Sequence, residues 1–392
     1  MIKLFINGWA ASAGGGLTYL RNVIPHLSRR VDAETTVLMN PAIRREFGEL
    51  PNISLIEAQG PYGVPERFFR EQTILPRLIR QSGAQVLVSA GNFAIWQSPV
   101  PQILLSRNSL YTSGDFLHDL RARGDYALWG DTLIKGWLAR RSMGWAEITV
   151  APSAAFAREL SEWSGRNVLS LPHGFDPDAF TGDSCPLTSE VTGQLERGQG
   201  ALRLLFVSHY NYYRNFETLL RAMPILNSRL ENKVKLFLTC QLRSGENPGN
   251  YRAESASSLA SGLRERHSVV ELGTIPYRSL HHLYRACHIY VTPAYAESFA
   301  HPLVEAMSSG LPVVASDLPV HREICSEAGI YFPRFSPEAL AERVLEIQGS
   351  PELSERLSRA GLLRSRDFSW SEHVARLVAM AEELIAIKPR RN

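Results

Sequence analysis

Between His288 and Asp317 the hydrophobic period changes three times, and few structures tolerate that succession. His288–Thr292 (HIYVT) is β-branched and aromatic, as a strand would be. Glu297-Ser-Phe-Ala-His-Pro-Leu-Val-Glu305 then reads as a loop running into a short helix. Pro302 suits the first helical position, where an N–H would have no partner anyway. Gly310 ends the helix and Pro312 prevents it from resuming. Leu311–Ala315 (LPVVA) is a short apolar run, as in a strand buried on both faces. A turn of free backbone N–H groups, at roughly residues 300–304, is therefore expected beyond the carboxyl end of a strand. Open α/β sheets bind ligands at such ends, and a helix start there favours an anion. Glu297 and Glu305 bracket the turn, which suits a phosphate flanked by hydroxyls, as in a nucleotide-sugar. By spacing alone, an ordinary crossover with two solvated acids reads equally well.

At 392 residues the chain suits two domains. Its 44% hydrophobic and 21% charged content is that of a globular protein. No apolar run reaches the roughly eighteen residues of a membrane span. MIKLFINGW enters a strand directly, without the pattern of a signal peptide. Cys185, Cys240, Cys287 and Cys325 are scattered, which argues against disulfides and zinc and for a reducing compartment. Net charge is +3, with 18 basic against 14 acidic residues over the first 170 and 24 against 25 over the rest. That excess is too weak for a nucleic-acid footprint but allows loose contact with anionic lipid.

From the N-terminus, Lys3–Asn7 reads as a strand and Gly8–Gly16 as a small-residue loop. Leu17, Leu20, Val23, Ile24 and Leu27 follow at helical spacing. A dinucleotide fingerprint fails here: Gly14 and Gly16 are present, but Tyr19 stands at the third glycine. The second strand, Thr35–Met39, ends in Asn40 instead of an acid. Ala84–Ser89, Gln102–Ser106 and Glu147–Ala151 are further strands, and Ser153 caps a helix over 154–163. Asp131–Trp145 is amphipathic; it reads either as an interfacial helix or, preferably, as a core-facing helix with a basic outer face. Residues 184–200 read as an exposed excursion. Arg203–Ser208, Lys233–Thr239 and His267–Leu272 continue the strand–helix alternation, so the second half is also doubly wound. Ser336 caps a helix, and Ser369-Trp-Ser-Glu372 is a capping box. A last helix follows with Trp370, Val374, Leu377, Val378, Ala381, Leu384 and Ile385 on one face. Asp176-Pro-Asp178 has the D-x-D form of a manganese site but sits in a proline-broken turn. His281, His282 and His288 have no helical ligand spacing and are expected at the surface.

The run ESFAHPLVEAMSSGLPVVASDLPVHRE resembles the E-x7-E region of retaining nucleotide-sugar glycosyltransferases of family 4, over some twenty-five residues without a gap. The resemblance implies the GT-B architecture: α/β, with two doubly wound Rossmann-like domains facing a cleft and the C-terminal helix crossing back to the first. Residues 1–172 with 370–392 would be the acceptor-side domain, and 173–369 the nucleotide-sugar domain. It places Glu297 against the donor sugar and Glu305 on the ribose. Phe299, Ala300, His301, Pro302 and Leu303 form the backbone cradle, although the family more often has Gly at the Ala300 position and Leu or Phe at that of His301. Gly14, Gly15 and Gly16 correspond to the family's glycine loop, which faces acceptor and donor phosphates. The family's Arg–Lys phosphate pair falls on His209 and Arg214; Arg214 keeps the charge, whereas His209 carries one only if its pKa is raised. Polar residues near the reacting sugar or acceptor fall on Arg107, Asn108 and Asp115, unless that loop is simply solvated.

The implied chemistry is sugar transfer with retention from a nucleoside-diphosphate sugar to a sugar or lipid-linked glycan. No metal or other cofactor is expected, because protein cations take the metal's part. A cytoplasmic location is expected, or the inner face of a membrane, in bacterial polysaccharide or glycoconjugate assembly. A nucleotide-sugar epimerase or phosphorylase on the same fold, and a catalytically silent sugar-nucleotide-binding protein, remain open as alternatives.

Overall fold

Parallel strands require crossover connections, and the alternation of strands with helices supplies them. The computed structural model describes residues 1–11, 14–60, 62–182, 185–249 and 251–387. Residues 12 and 13 of the expected glycine loop, Ser184, and residues 388–392, which were expected to belong to the last helix, lie outside the described residues. The chain forms two units. The first comprises Met1–Thr112, Asp125–Gly174 and Ser369–Asn392; the second comprises Ser113–Gly124 and Phe175–Phe368. Residues 113–124 thus belong to the second unit, not to the N-terminal one as the sequence suggested.

In the first unit β1 (Ile2–Gly8), β2 (Ala33–Met39), β3 (Ile53–Glu57), β4 (Val86–Ser89), β5 (Gln102–Leu105), β6 (Ile148–Ala151) and β7 (Val168–Ser170) form one sheet. Its order is β3-β2-β1-β4-β5-β6-β7, and every pair is parallel. Strands β3 and β7 are half exposed and carry no clean apolar run, which hid them from the pattern. In the second unit β8 (Leu202–Phe206), β9 (Val234–Leu238), β10 (Val269–Glu271), β11 (Ile289–Thr292), β12 (Val313–Ser316) and β13 (Gly329–Phe332) form a sheet of order β10-β9-β8-β11-β12-β13, again all parallel. The order reverses between β1 and β4 in one sheet and between β8 and β11 in the other. Loops leaving the carboxyl ends of those strands part there and leave a crevice. Each unit is thus a doubly wound parallel α/β domain, as expected.

The last helix, Trp370–Ile387, returns to the first unit. Trp370, Val374, Leu377, Val378, Ala381 and Leu384 are buried in the same core as Leu4, Ile6, Leu20 and Ile24, with Ile385 packed against it. Ser369 Oγ accepts from the Glu372 amide at 3.2 Å, as a capping residue does. Gly174 admits this return: a Cβ there would lie 2.0 Å from the Trp370 nitrogen.

Three local expectations are corrected. The helix over Tyr126–Ser142 turns Thr132, Gly136, Ala139 and Ser142 inward, while Leu133, Ile134 and Trp137 face solvent. Small residues fit the inner face: a Cβ on Gly136 would already touch Tyr111 at 3.5 Å and Trp163 at 3.8 Å, which leaves no room for a longer side chain. The 184–200 stretch is not a bare excursion, since Ser189–Glu196 is helical and buries Val191 and Leu195. His281 is buried, edge-on to Phe180 at 5.7 Å, instead of standing at the surface. Among the described residues, no helix is long and apolar enough to cross a membrane.

Candidate active site

Beyond the carboxyl end of β8 the chain makes a tight turn that presents Arg214. Asn211 Oδ1 accepts from the Arg214 amide at 3.0 Å, and Tyr212–Arg214 form a single 3-10 turn. Asn215 follows with φ 55°, a left-handed conformation that Asn adopts more readily than most residues. Its side-chain amide donates to the carbonyls of Pro293 at 3.1 Å and Arg334 at 2.7 Å. The Tyr295 amide donates to the Tyr213 carbonyl at 2.9 Å. These bonds fasten the loop after β8 to the loop after β11, across the reversal in strand order. Arg214 Nη1 is thereby brought into ion contact with Glu297 Oε1, and both side chains are largely buried.

The turn after Glu297 is set by Ala300, at φ 64° and ψ 65°, which caps the helix His301–Ser308. That conformation accounts for the glycine common at this position in the resembling family, since only glycine takes it without cost. Pro302 occupies the first turn of the helix, where its missing N–H costs nothing. The cradle is narrower than expected: Pro302 offers no N–H, and the Leu303 amide already donates to the Ala300 carbonyl at 3.0 Å. The rings of Phe299 and His301 lie 4.8 Å apart, and Phe299 is backed by Phe368 at 5.5 Å.

Glu305 lies one turn further along the helix, 6% exposed. Its Oε2 accepts from the Tyr284 hydroxyl at 2.9 Å. Burial raises its pKa to about 7, and the Tyr284 bond only partly opposes that. Such a carboxylate gains from further hydroxyl donors. His209, at the end of β8, has its pKa lowered to about 4 by desolvation and by the neighbouring Arg214 guanidinium. The requirement that its pKa be raised is not met, so His209 is neutral near pH 7 and can offer a hydrogen bond but no charge.

In the first unit Arg107 ties the start of the helix after β1 to the loops after β4 and β5. Its Nη1 donates to the Gly15 carbonyl at 3.0 Å, its Nη2 to the Ala90 carbonyl, and its own amide to Asn92 Oδ1 at 2.7 Å. The guanidinium lies 4.9 Å from the Tyr19 ring centroid, and burial lowers its pKa to about 10. Asn108 Oδ1 accepts from the Leu110 amide at 3.1 Å, which shapes that loop. Gly14, Gly15 and Gly16 are not loop residues: they form the first turn of the helix Gly14–Ser28, whose opening amides have no partner within the helix. Asp115 is the larger correction. It sits on the helix Gly114–Ala122 in the second unit, and Arg334 Nε donates to its carboxylate at 2.7 Å. Asp176, half of the D-x-D, accepts from the Ala179 amide at 3.0 Å and opens the helix Pro177–Gly182.

Residues 190–364 match the family model described as "Glycosyl transferases group 1". That match covers most of the second unit and under half of the chain. Over the whole chain the fold is GT-B. It superposes on sucrose-phosphate synthase from Thermosynechococcus elongatus with TM-score 0.76 at 17% identity, covering 99% of this chain and 100% of that one. Against Anabaena HepE in complex with UDP-glucose the TM-score is 0.71 at 15% identity, over 98% and 100% of the two chains. These likenesses concern the fold alone. Curated relatives include the O-antigen chain mannosyltransferase B of Escherichia coli, 32% identical over 166 residues, 42% of each chain. The phosphatidyl-myo-inositol mannosyltransferase of Mycobacterium leprae is 28% identical over 236 residues, 59% of this chain and 58% of that one. The chain thus spans about half the length of the curated relatives it matches.

Sequence reasoning missed Tyr284, Asn215 and His321. Tyr284 reaches Glu305 from a different helix, twenty-one positions earlier, and no local pattern announces that. His321 is fully buried, with Nδ1 2.9 Å from the Ser316 carbonyl and no hydrogen-bond partner at Nε2 among the described residues. Desolvation keeps it neutral, lowering its pKa to about 4. Asn215 alone carried a signal, since Asn directly after a turn cation marks a left-handed position.

Proposed function

We propose that this chain transfers a sugar, with retention, from a nucleoside-diphosphate sugar to a hydroxyl of a glycan or lipid-linked acceptor in bacterial glycoconjugate assembly. The observation that carries the reading is the pairing of Arg214 with Glu297 at the strand-order reversal, with buried Glu305 on the helix that follows. In this reading Arg214 and the start of the His301–Ser308 helix hold the diphosphate. Glu305 accepts from the ribose hydroxyls, and Glu297 positions the sugar. His209 contributes a neutral donor, while Arg107 and Asn108 serve the acceptor side with Gly14, Gly15 and Gly16.

The bond from the anomeric carbon to the phosphate oxygen breaks as the acceptor oxygen bonds to the same face. The acceptor proton passes to the departing phosphate oxygen. Negative charge grows on the diphosphate, where a preorganised donor is worth about 2.7–4 kcal/mol of barrier. Arg214 supplies that charge stabilisation, so no metal is required and chelation leaves the rate unchanged.

The mannosyltransferase names of the relatives make GDP-mannose the first donor to test, with UDP-glucose second. Nucleotide released only when an acceptor is present, with the α-linkage of the donor kept in the product, supports retaining transfer. Reversible isomerisation of the donor would instead indicate an epimerase. Consumption of inorganic phosphate would indicate a phosphorylase, and donor binding without turnover a silent binding protein.

A further inference from the structure

Single exposed apolar side chains are ordinary, but a cluster of them is informative. On the Tyr126–Ser142 helix, Tyr126, Leu133, Ile134 and Trp137 all face outward, Ile134 at 68% and Trp137 at 66% exposure. Their spacing of seven, eight and eleven residues from Tyr126 puts them along one side. Trp96, 67% exposed, stands beside Trp145 in the turn that directly follows this helix, with ring centroids 6.5 Å apart. Phe69, also 67% exposed, lies one helical turn from Gln72, whose Oε1 accepts from the Trp96 amide at 2.8 Å. These six are a large share of the fourteen large apolar side chains exposed among the described residues, so the face is concentrated.

The helix carries a net positive charge. Asp131 is its only acid, and Lys135 meets it at 2.6 Å. Arg140 and Arg141 are exposed in the last turn. Aromatic and branched apolar side chains with flanking arginines match the boundary between lipid headgroups and acyl chains. On its inner side the helix abuts Tyr111 through Gly136, and Tyr111 belongs to the loop that carries Arg107 and Asn108.

From this surface we infer that the first unit docks on an anionic lipid bilayer through the outer face of the Tyr126–Ser142 helix, with Trp96 and Phe69 beside it. Arg140 and Arg141 engage lipid phosphates, and the loop behind the helix is brought to acceptors held at the membrane. The inference deepens the acceptor side of the proposed function and is read independently of it.

The test uses the full chain and flotation with vesicles of phosphatidylcholine alone, or with about a third phosphatidylglycerol. Binding is expected on the anionic vesicles, with a blue shift of tryptophan emission and weakening in high salt. The double variant Ile134→Ser/Trp137→Ser should lower partitioning by roughly tenfold or more, with thermal stability and turnover of a water-soluble acceptor unchanged. Arg140→Gln/Arg141→Gln should lower it on anionic vesicles only. No binding of the native chain, or equal binding by Ile134→Ser/Trp137→Ser, overturns the inference. A lipid-free dimer that the same variant dissociates also overturns it, by giving this face to a second copy of the chain.

Discussion

Arg214 and Glu297 are held in ion contact across the point where the second sheet reverses its strand order. Two loops far apart in sequence make this pair, and neither side chain has much water around it. Glu297 is 8% exposed and the Arg214 side chain 18%. In the proposed function a donor diphosphate would share Arg214 with a carboxylate already in place. Removing one member of a buried pair leaves the other charged and unpaired, which typically costs 3–5 kcal/mol; removing both costs far less. Arg214→Ala should destabilise the second unit by about 3 kcal/mol in urea unfolding, and Arg214→Ala/Glu297→Gln should recover most of it. In calorimetry Arg214→Ala should weaken nucleoside diphosphates much more than nucleosides.

Glu305 gives opposite pH signs for folding and for binding. Its folded pKa of about 7 lies above the ordinary 4.5, so the folded protein holds a proton that the unfolded chain has released. Its contribution to stability is present below about pH 4.5 and is lost as pH rises through 7. Glu305→Gln should be more stable than the native chain at pH 8 by on the order of 1–3 kcal/mol, with the difference vanishing near pH 4. In the proposed function the ionised Glu305 accepts from the ribose hydroxyls, so native nucleotide affinity should fall as pH drops below 7. In thermal-shift titration, Glu305→Ala should lose the nucleotide response altogether.

Ala300 adopts φ 64°, a region that costs a residue with a Cβ about 1–2 kcal/mol. Glycine removes that strain but adds about 0.5–1 kcal/mol of unfolded-state entropy. Ala300→Gly should gain roughly 0.5 kcal/mol in equilibrium unfolding and keep the nucleotide response. A loss of stability would mean that the Ala300 methyl contributes packing that outweighs the strain.

The helix Gly114–Ala122 is fastened to the second unit by charge as well as packing. Arg123 meets Glu217 at 2.9 Å and Asp119 at 2.8 Å, and the Tyr295 hydroxyl donates to Asp119 at 2.7 Å. Glu217 is 3% exposed. Arg123→Ala should therefore destabilise the second unit by about 3 kcal/mol, detected by hydrogen exchange at the Phe216–Arg229 helix.

What the sequence disclosed follows from how local each signal is. The His288–Asp317 succession, the capping serines and the apolar face of the last helix are contiguous patterns, and each appears where expected. Assigning Asp115 to the first unit failed because its partner, Arg334, lies 219 residues away. The Tyr126–Ser142 helix failed for a different reason. Large apolar residues suggest the core face, but the contact of Gly136 with Tyr111 and Trp163 leaves room on that face only for small ones. His209 shows a third limit, since burial and Arg214 set its charge and neither can be read from spacing.

The central claim is that Arg214, Glu297 and Glu305 together hold one nucleoside diphosphate sugar. Diffraction from crystals grown with GDP and UDP tests it most directly. The account predicts the distal phosphate on the Arg214 guanidinium at the start of the His301–Ser308 helix, with both ribose hydroxyls on Glu305. A nucleotide bound elsewhere in the second unit, with Glu305 still bonded only to Tyr284, would contradict it.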